Sequence, residues 1–409
     1  MQTLQPNTLL QGGRYKIIET LGIVRLDGFG TLYSAIDMKC NKNVVVLEFH
    51  LDKAYYPDDD MRLTNESPVY YVARQRILKQ LLELPTLSHP NLISVTNAFC
   101  EEDSFFYVTE AVTGQTLEGY IKEHSIEKEE AINIIKKLAY ALIYLHEEKH
   151  MPHLMVCPEN IVRNPSTGQF CLYFYGLPHH LNEDESADHM AGEESRLILG
   201  QGNCYVDIDI EMLGTTFYTL LTGERLRPYY ELIRETHKPL AVIFIEKGLS
   251  QEFAAILNRA ILSYYNNRAI LSYYNMRRPY RSVKEFVADL TAAENGGSIS
   301  DETLELYKSG IQDYAAKLRT EEKMSWQQIE HALINAGLHP EDASTVVDNL
   351  IQQERDGYHK AANKAFKYGA LWVGGGIALT AITEGQYLFY GAIGWGVWLI
   401  LKSMWYEQK

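Results

Sequence analysis

The chain has 409 residues and a formal net charge of −15, from 38 Lys and Arg against 53 Asp and Glu. No excess of cations exists to displace counterions from phosphates, which excludes a general nucleic-acid binder. Hydrophobic residues at 46 % and charged ones at 22 % fit a folded chain of roughly two to three domains and exclude global disorder.

Residues 1–13 are polar, lack the apolar core of a signal peptide and read as an N-terminal tail. From residue 14, "RYKIIETLG", "GTLYSAID" and "VVVLEFHL" read as strands, the last two joined by the polar turn "MKCNKN". Residues 69–84 carry apolar side chains at helical spacing. "NLISVTNAFCEEDSFFYVTEAV" supplies two more strands around "EED". From Leu117 the pattern turns helical, led by an amphipathic helix in "SIEKEEAINIIKKLAYALIYLHEEKH" with an acidic first turn. Residues 258–266 and 267–275 both read NRAILSYYN, a local duplication whose nine residues advance a helix by about two and a half turns.

Residues 292–300, small and polar, read as a linker, and 301–360 as a helical segment. Within it helices are expected near 301–319, 325–336 and 340–354. Ser325 with Gln328 predicts a capping box and Gly337 a stop. Residues 365–404 read as a transmembrane hairpin. Its two charge-free runs, Tyr368 to Thr383 and Tyr387 to Leu401, are separated only by "EGQ". Trp372, Trp395, Trp398 and Trp405 suit the interfaces, and small residues recur four apart at Ala370, Gly374 and Ala378. Lys360, Lys364, Lys367, Lys402 and Lys409 flank the hairpin while the loop carries Glu384, so both ends are expected on the cytoplasmic side. The five cysteines are widely spaced without a CxxC, consistent with a reducing cytoplasm for the rest of the chain.

The β-rich then α-rich order resembles a bacterial Ser/Thr protein kinase domain. "YKIIETLG" with "DGFGTLYSAID" resembles the glycine-rich loop, "LSHPNLISV" the segment after the αC helix, and "ALIYLHEEKHMPHLMVCPENIV" the approach to the catalytic loop. "VDIDIEMLGTTFYTLLTG" resembles the αF helix and "RRPYRSVKEFVADL" the last helix of the C-lobe. The resemblance implies an α+β, bilobal kinase-like fold over residues 14–291.

The family's chemistry is not retained at the matching positions. Kinases hold the α- and β-phosphates with a third-strand lysine, itself held by a helix glutamate. Leu47 falls in the lysine slot, or Glu48 if the match shifts by one, and Gln80 falls in the glutamate slot. His-Arg-Asp resembles His153, Leu154, Met155, so a thioether stands where the proton-accepting carboxylate is expected. Cys157 stands in the place of the lysine that steadies the γ-phosphate, before Pro158. Asp-Phe-Gly resembles Phe174, Tyr175, Gly176, and a phenylalanine offers Mg²⁺ no oxygen. Asn160 matches the second metal ligand, and also fits a role capping the loop. Five residues separate Gly22 from Gly28, and Asp27 places a carboxylate toward any phosphate.

What survives is a residual nucleotide-site set, Gly28, Gly30, His153, Asn160 and Gly176, and a structural set, Pro158, Asp209 and Arg278 with Pro279. Two other sets compete. Cys157 with His153 would suit thiol chemistry, and His179, His180, Glu183, Asp184, Glu185, Asp188 and His189 would suit a metal, though a solvated segment fits them better. The resulting expectation is a membrane-anchored pseudokinase with its kinase-like domain in the cytoplasm. It would bind a protein partner and neither nucleic acid nor metal. No cofactor is expected, with ATP bound without Mg²⁺ left open, and a working kinase with displaced groups is the alternative.

Overall fold

The computed structural model describes residues 3–25, 29–50, 68–102, 104–111, 114–165, 167–175, 204–261, 280–382 and 390–408. Gly28, Asp27, Gly176, the segment holding His179 and His189, residues 262–275 of the duplication, Arg278, Pro279 and the "EGQ" loop lie outside them. The chain divides into two compact units, residues 1–240 with 249–307, and residues 241–248 with 308–409.

The first unit opens on a six-stranded antiparallel sheet of β1 (Leu9–Leu10), β2 (Tyr15–Arg25), β3 (Phe29–Asp37), β4 (Lys42–His50), β6 (Ser104–Glu110) and β5 (Val95–Glu101), in that order. The expected N-terminal tail therefore contributes a strand: Leu9 pairs with Lys16, and Leu4 N–H donates to the Tyr33 hydroxyl. Alternation sorts the sheet into two faces. Tyr15, Ile17, Tyr33, Ala35, Val44, Val46, Phe106 and Val108 form a core on one. Val45, Leu47, Tyr107 and Thr109 lie on the other, with Leu47 paired to Leu32 and Tyr107, and Val45 to Thr109. Helix α1 (Pro68–Glu83) leads into a short 3₁₀ turn and β5.

The helical part follows. Its first elements are α2 (Leu117–Glu123), α3 (Lys128–Ile143), a π turn (Tyr144–Glu148), and the small hairpin β7 (Ile161–Arg163) and β8 (Phe170–Leu172). Then come α4 (Cys204–Thr222), α5 (Tyr229–Thr236), α6 (Leu240–Glu246), which from Ala241 is assigned to the second unit, α7 (Gln251–Ile261) and α8 (Val283–Glu294). Thr116 caps α2 and Ser282 caps α8, each accepting from a backbone N–H of the first turn. Helix α3 buries Ile132, Ile135, Leu138 and Leu142, the one-sided stripe that its sequence predicts.

Residues 295–300 are not a slack linker. Ser300 donates N–H and Oγ to the buried Asp289 at 2.7 and 2.9 Å, and Ile299 is buried. Arg259 of α7 reaches the same knot, at 2.8 Å from Glu302, 2.9 Å from Thr303 and 3.3 Å from Glu285.

Helix α9 (Asp301–Thr320) enters the second unit at Lys308, and there it, α10 (Trp326–Asn335) and α11 (Pro340–Ile382) bury Ile311, Ala315, Leu318, Ile329, Leu333, Val346 and Val347. The Ser325–Gln328 capping box forms. Gly337 ends the turn at φ +103°, and a Cβ there would lie 2.9 Å from Ile245 Cγ2. The expected break between a helix near 354 and a hairpin from 365 is absent. Helix α11 runs unbroken for 43 residues, because between residues 354 and 365 only Gly357 interrupts the helix-forming run, at a cost of about 1 kcal/mol. It pairs with α12 (Tyr390–Glu407). Among the described residues one helix, Pro340–Ile382, is long and apolar enough to cross a membrane.

Candidate functional site

Asp209 of α4 organises the loop that follows the π turn. It is fully buried, and its carboxylate accepts from Leu154 N at 2.6 Å and from His153 N at 2.7 Å, with His146 Nε2 at 2.8 Å. Leu154 has φ +63°, a left-handed conformation costly for a branched side chain, and two charge-assisted bonds hold it there. Thr216 of α4 donates to Val156 O, tying down the next residue.

This loop places four of the singled-out residues. His153 Nδ1 accepts from Met155 N at 3.3 Å, and its ring lies 4.9 Å from that of Tyr175. Burial pushes the His153 imidazolium down to about 4, against the pull of Asp209. The ring is therefore neutral near pH 7. Met155 is buried. Burial pushes the Cys157 thiol up to about 11, so it is a thiol rather than a thiolate at neutral pH, which removes the nucleophile from the Cys157–His153 set. Pro158 starts the 3₁₀ turn Pro158–Asn160.

Asn160 is bonded on both ends of its carboxamide. Nδ2 donates to Met155 O at 2.8 Å and to Phe174 O at 2.6 Å, and Oδ1 accepts from Phe174 N at 2.8 Å. Phe174 is buried with its ring 4.0 Å from that of Tyr173. The Tyr175 hydroxyl donates to Ile93 O.

Across from these residues lies the inner face of the sheet. Leu47 is on it and 4 % exposed. Glu48, the alternative position, is on the opposite face, where it accepts from Tyr33 Oη at 2.6 Å and Ser104 Oγ at 3.0 Å. Desolvation and this carboxylate push the Tyr33 phenol up to about 12. Gln80 is turned to the loop before His153, donating to Pro152 O at 3.4 Å. Gly30 pairs with Phe49 beside these residues. Among the described residues no group of three or more His, Cys, Asp and Glu is placed to hold a metal ion.

The sequence reading passed over Tyr107, Thr109 and Tyr173. The Tyr107 hydroxyl donates to Tyr175 O at 3.3 Å and accepts from Tyr175 N at 3.1 Å. Thr109 Oγ1 donates to Tyr173 Oη at 3.4 Å. The signal was the run "FFYVTE" pairing with "VVVLEF", which sets Tyr107 beside Leu47, together with the three adjacent aromatics of "LYFYGL".

Residues 28–288 match the family described as protein kinase domain. Serine/threonine-protein kinase PrkC of Bacillus subtilis is 24 % identical over 221 residues, which is 52 % of this chain and 31 % of that protein. Serine/threonine-protein kinase PknA of Nostoc is 26 % identical over 269 residues, 62 % of this chain and 44 % of that protein. The chain thus spans less than half the length of these curated relatives. Among solved structures, the Mycobacterium tuberculosis PknI kinase domain is similar at 16 % identity, covering 71 % of this chain and 99 % of that one, with a TM-score of 0.44.

Proposed function

The chain belongs to the protein kinase family, and on that premise we propose that it is a membrane-anchored pseudokinase, a protein-binding or regulatory module that transfers no phosphoryl group. Transfer depends on positioning and on neutralising charge around the γ-phosphate. Leu47 brings no cation to the inner face of the sheet, Met155 no base to the catalytic loop, and Phe174 no oxygen to a metal. Cys157 stays uncharged at neutral pH. The residues present therefore do not fit ATP with Mg²⁺ as the family holds it.

The observation that carries this reading is the Asn160 carboxamide. The surviving metal-ligand position is committed to the backbone of Phe174 and Met155. The alternative of a working kinase needs Asp27, Glu48 or Asn160 to regroup around a metal. Asp27 lies outside the described residues, and Glu48 faces the far side of the sheet. Intact-mass analysis after incubation with ATP and Mg²⁺ tests the reading: an unchanged mass is expected, and an added phosphoryl group refutes it.

The anchor in this proposal is the α11–α12 pair. Leu371, Ile377, Ile382, Tyr390, Leu401, Trp372, Trp395 and Trp405 are exposed, a surface that water penalises and lipid does not. Gly369 and Gly396 let the backbones meet, since a Cβ on Gly396 would lie 2.6 Å from Gly369 O. Lys402 lies over the rings of Trp398 and Tyr406, an interfacial arrangement, on the side where the flanking lysines favour the cytoplasm.

A further inference from the structure

The kinase reading places a nucleotide between the inner face of the sheet, at Leu47, and the chain leaving β8, at Phe174. In this protein the chain's own side chains bond across from the sheet to that segment beside these two residues. Tyr107 stands next to Leu47 on the sheet and makes two hydrogen bonds to the backbone of Tyr175, one donated and one accepted. Thr109 stands next to Val45 and donates to the hydroxyl of Tyr173. Strand β6 is thus joined by two side chains to the segment that would face a nucleotide from below, with β4 paired beside it. Val45, Leu47, Tyr107, Thr109, Tyr173 and Phe174 are all buried. The hydroxyls of Tyr107 and Tyr173 find partners within the protein.

We propose that this cleft takes no nucleotide, with or without a metal, and that the Tyr107–Tyr175 and Thr109–Tyr173 bridges hold the sheet and the helical part at one fixed closure. The cleft has become core. A kinase cleft that must admit and release ATP opens and shuts, whereas a cleft filled by bonded aromatics is a constant surface for a partner to read. This inference rests on the kinase reading for the nucleotide's position, but it exceeds it, because a protein without transfer activity can still bind ATP.

The test uses the full chain in detergent micelles. Ligand that binds the native state must raise the melting temperature. ATP and ADP, each at millimolar concentration with and without Mg²⁺, are expected to leave it unchanged. In parallel, Tyr107→Phe keeps the ring and removes both bonds to Tyr175. Hydrogen exchange of the Tyr175 amide is expected to quicken at least tenfold in that variant, while amides of the β2–β3 ladder keep the wild-type rate. A nucleotide-dependent rise in melting temperature overturns the proposal, as does an unchanged Tyr175 amide in the variant. Binding without any added phosphoryl mass would sink this inference alone and leave the pseudokinase reading intact. An added phosphoryl group would sink both.

Discussion

Asn160 grips both backbone polar groups of Phe174, donating to its carbonyl at 2.6 Å and accepting from its N–H at 2.8 Å. All three atoms are buried, so removing the carboxamide leaves the Phe174 N–H, the Phe174 carbonyl and the Met155 carbonyl short of partners. Each buried group left unsatisfied costs about 1–3 kcal/mol. Asn160→Ala is expected to lower stability by about 2–4 kcal/mol in chemical denaturation. A change under about 0.5 kcal/mol would mean that this residue is not the structural tie described.

The pH dependence follows from His153. Its folded-state value is lowered to about 4, below the ordinary value of about 6.5, so protonation favours the unfolded chain. This contribution is complete above pH 6.5 and is lost as pH falls from about 6.5 to about 4, on the order of 3 kcal/mol in all. Asp207, pushed up to about 6 by burial, acts in the opposite sense over part of the same range. The comparison is therefore between wild type and His153→Phe. The stability advantage of the wild type is expected to shrink steadily from pH 6.5 to pH 4, and a constant difference would contradict the assignment.

Arg259 is 2 % exposed and joins α7 to the start of α9 through Glu302 and Thr303, with Tyr280 stacked 4.2 Å away. Arg259→Leu strips the buried Asp289, Thr303 and Tyr280 cluster of its cation. Breaking such a pair from one side costs about 3–5 kcal/mol. A thermal melt shifted down by several degrees is expected, and a melt within a degree of wild type would show that residues 295–307 are not secured by this network.

The frame of this protein was legible in its sequence because it is carried by local signals. The acidic start of α3, the Ser325 capping box and the Gly337 stop each fix an element within a few residues of chain. The catalytic-loop resemblance was legible for the same reason, since His153 to Asn160 lie in one short run. What was hidden depends on pairing across distance. The choice between Leu47 and Glu48 turns on strand register, and one residue of slip exchanges the faces. The Tyr107 bridge joins residues 68 apart, and no periodicity announces it. Helix α11 reads as two pieces in the sequence because no residue is buried between Leu350 and Ala362, and the amphipathic pattern lapses there.

The hairpin prediction rests on contact between backbones. A side chain at Gly396 would press on Gly369 O and on Val373 N, at 2.6 and 2.8 Å from the new Cβ. Gly396→Val is expected to part α11 from α12. Spin labels at the exposed Leu371 and Val397 would report this as a longer separation in membranes, while the protein still pellets with them after carbonate washing. Recovery of the wild type in the soluble fraction would contradict the anchor.

The most direct test of the central claim is transfer itself. Full-length protein is incubated with radiolabelled ATP, generic protein substrates and Mg²⁺ or Mn²⁺, beside the Asn160→Ala variant. On the proposed reading, in which Leu47, Met155, Cys157 and Phe174 replace two cations, a base and a metal ligand, no label is expected in substrate or in the protein. Label that enters with the wild type and vanishes with Asn160→Ala would contradict the account and make this chain a working kinase.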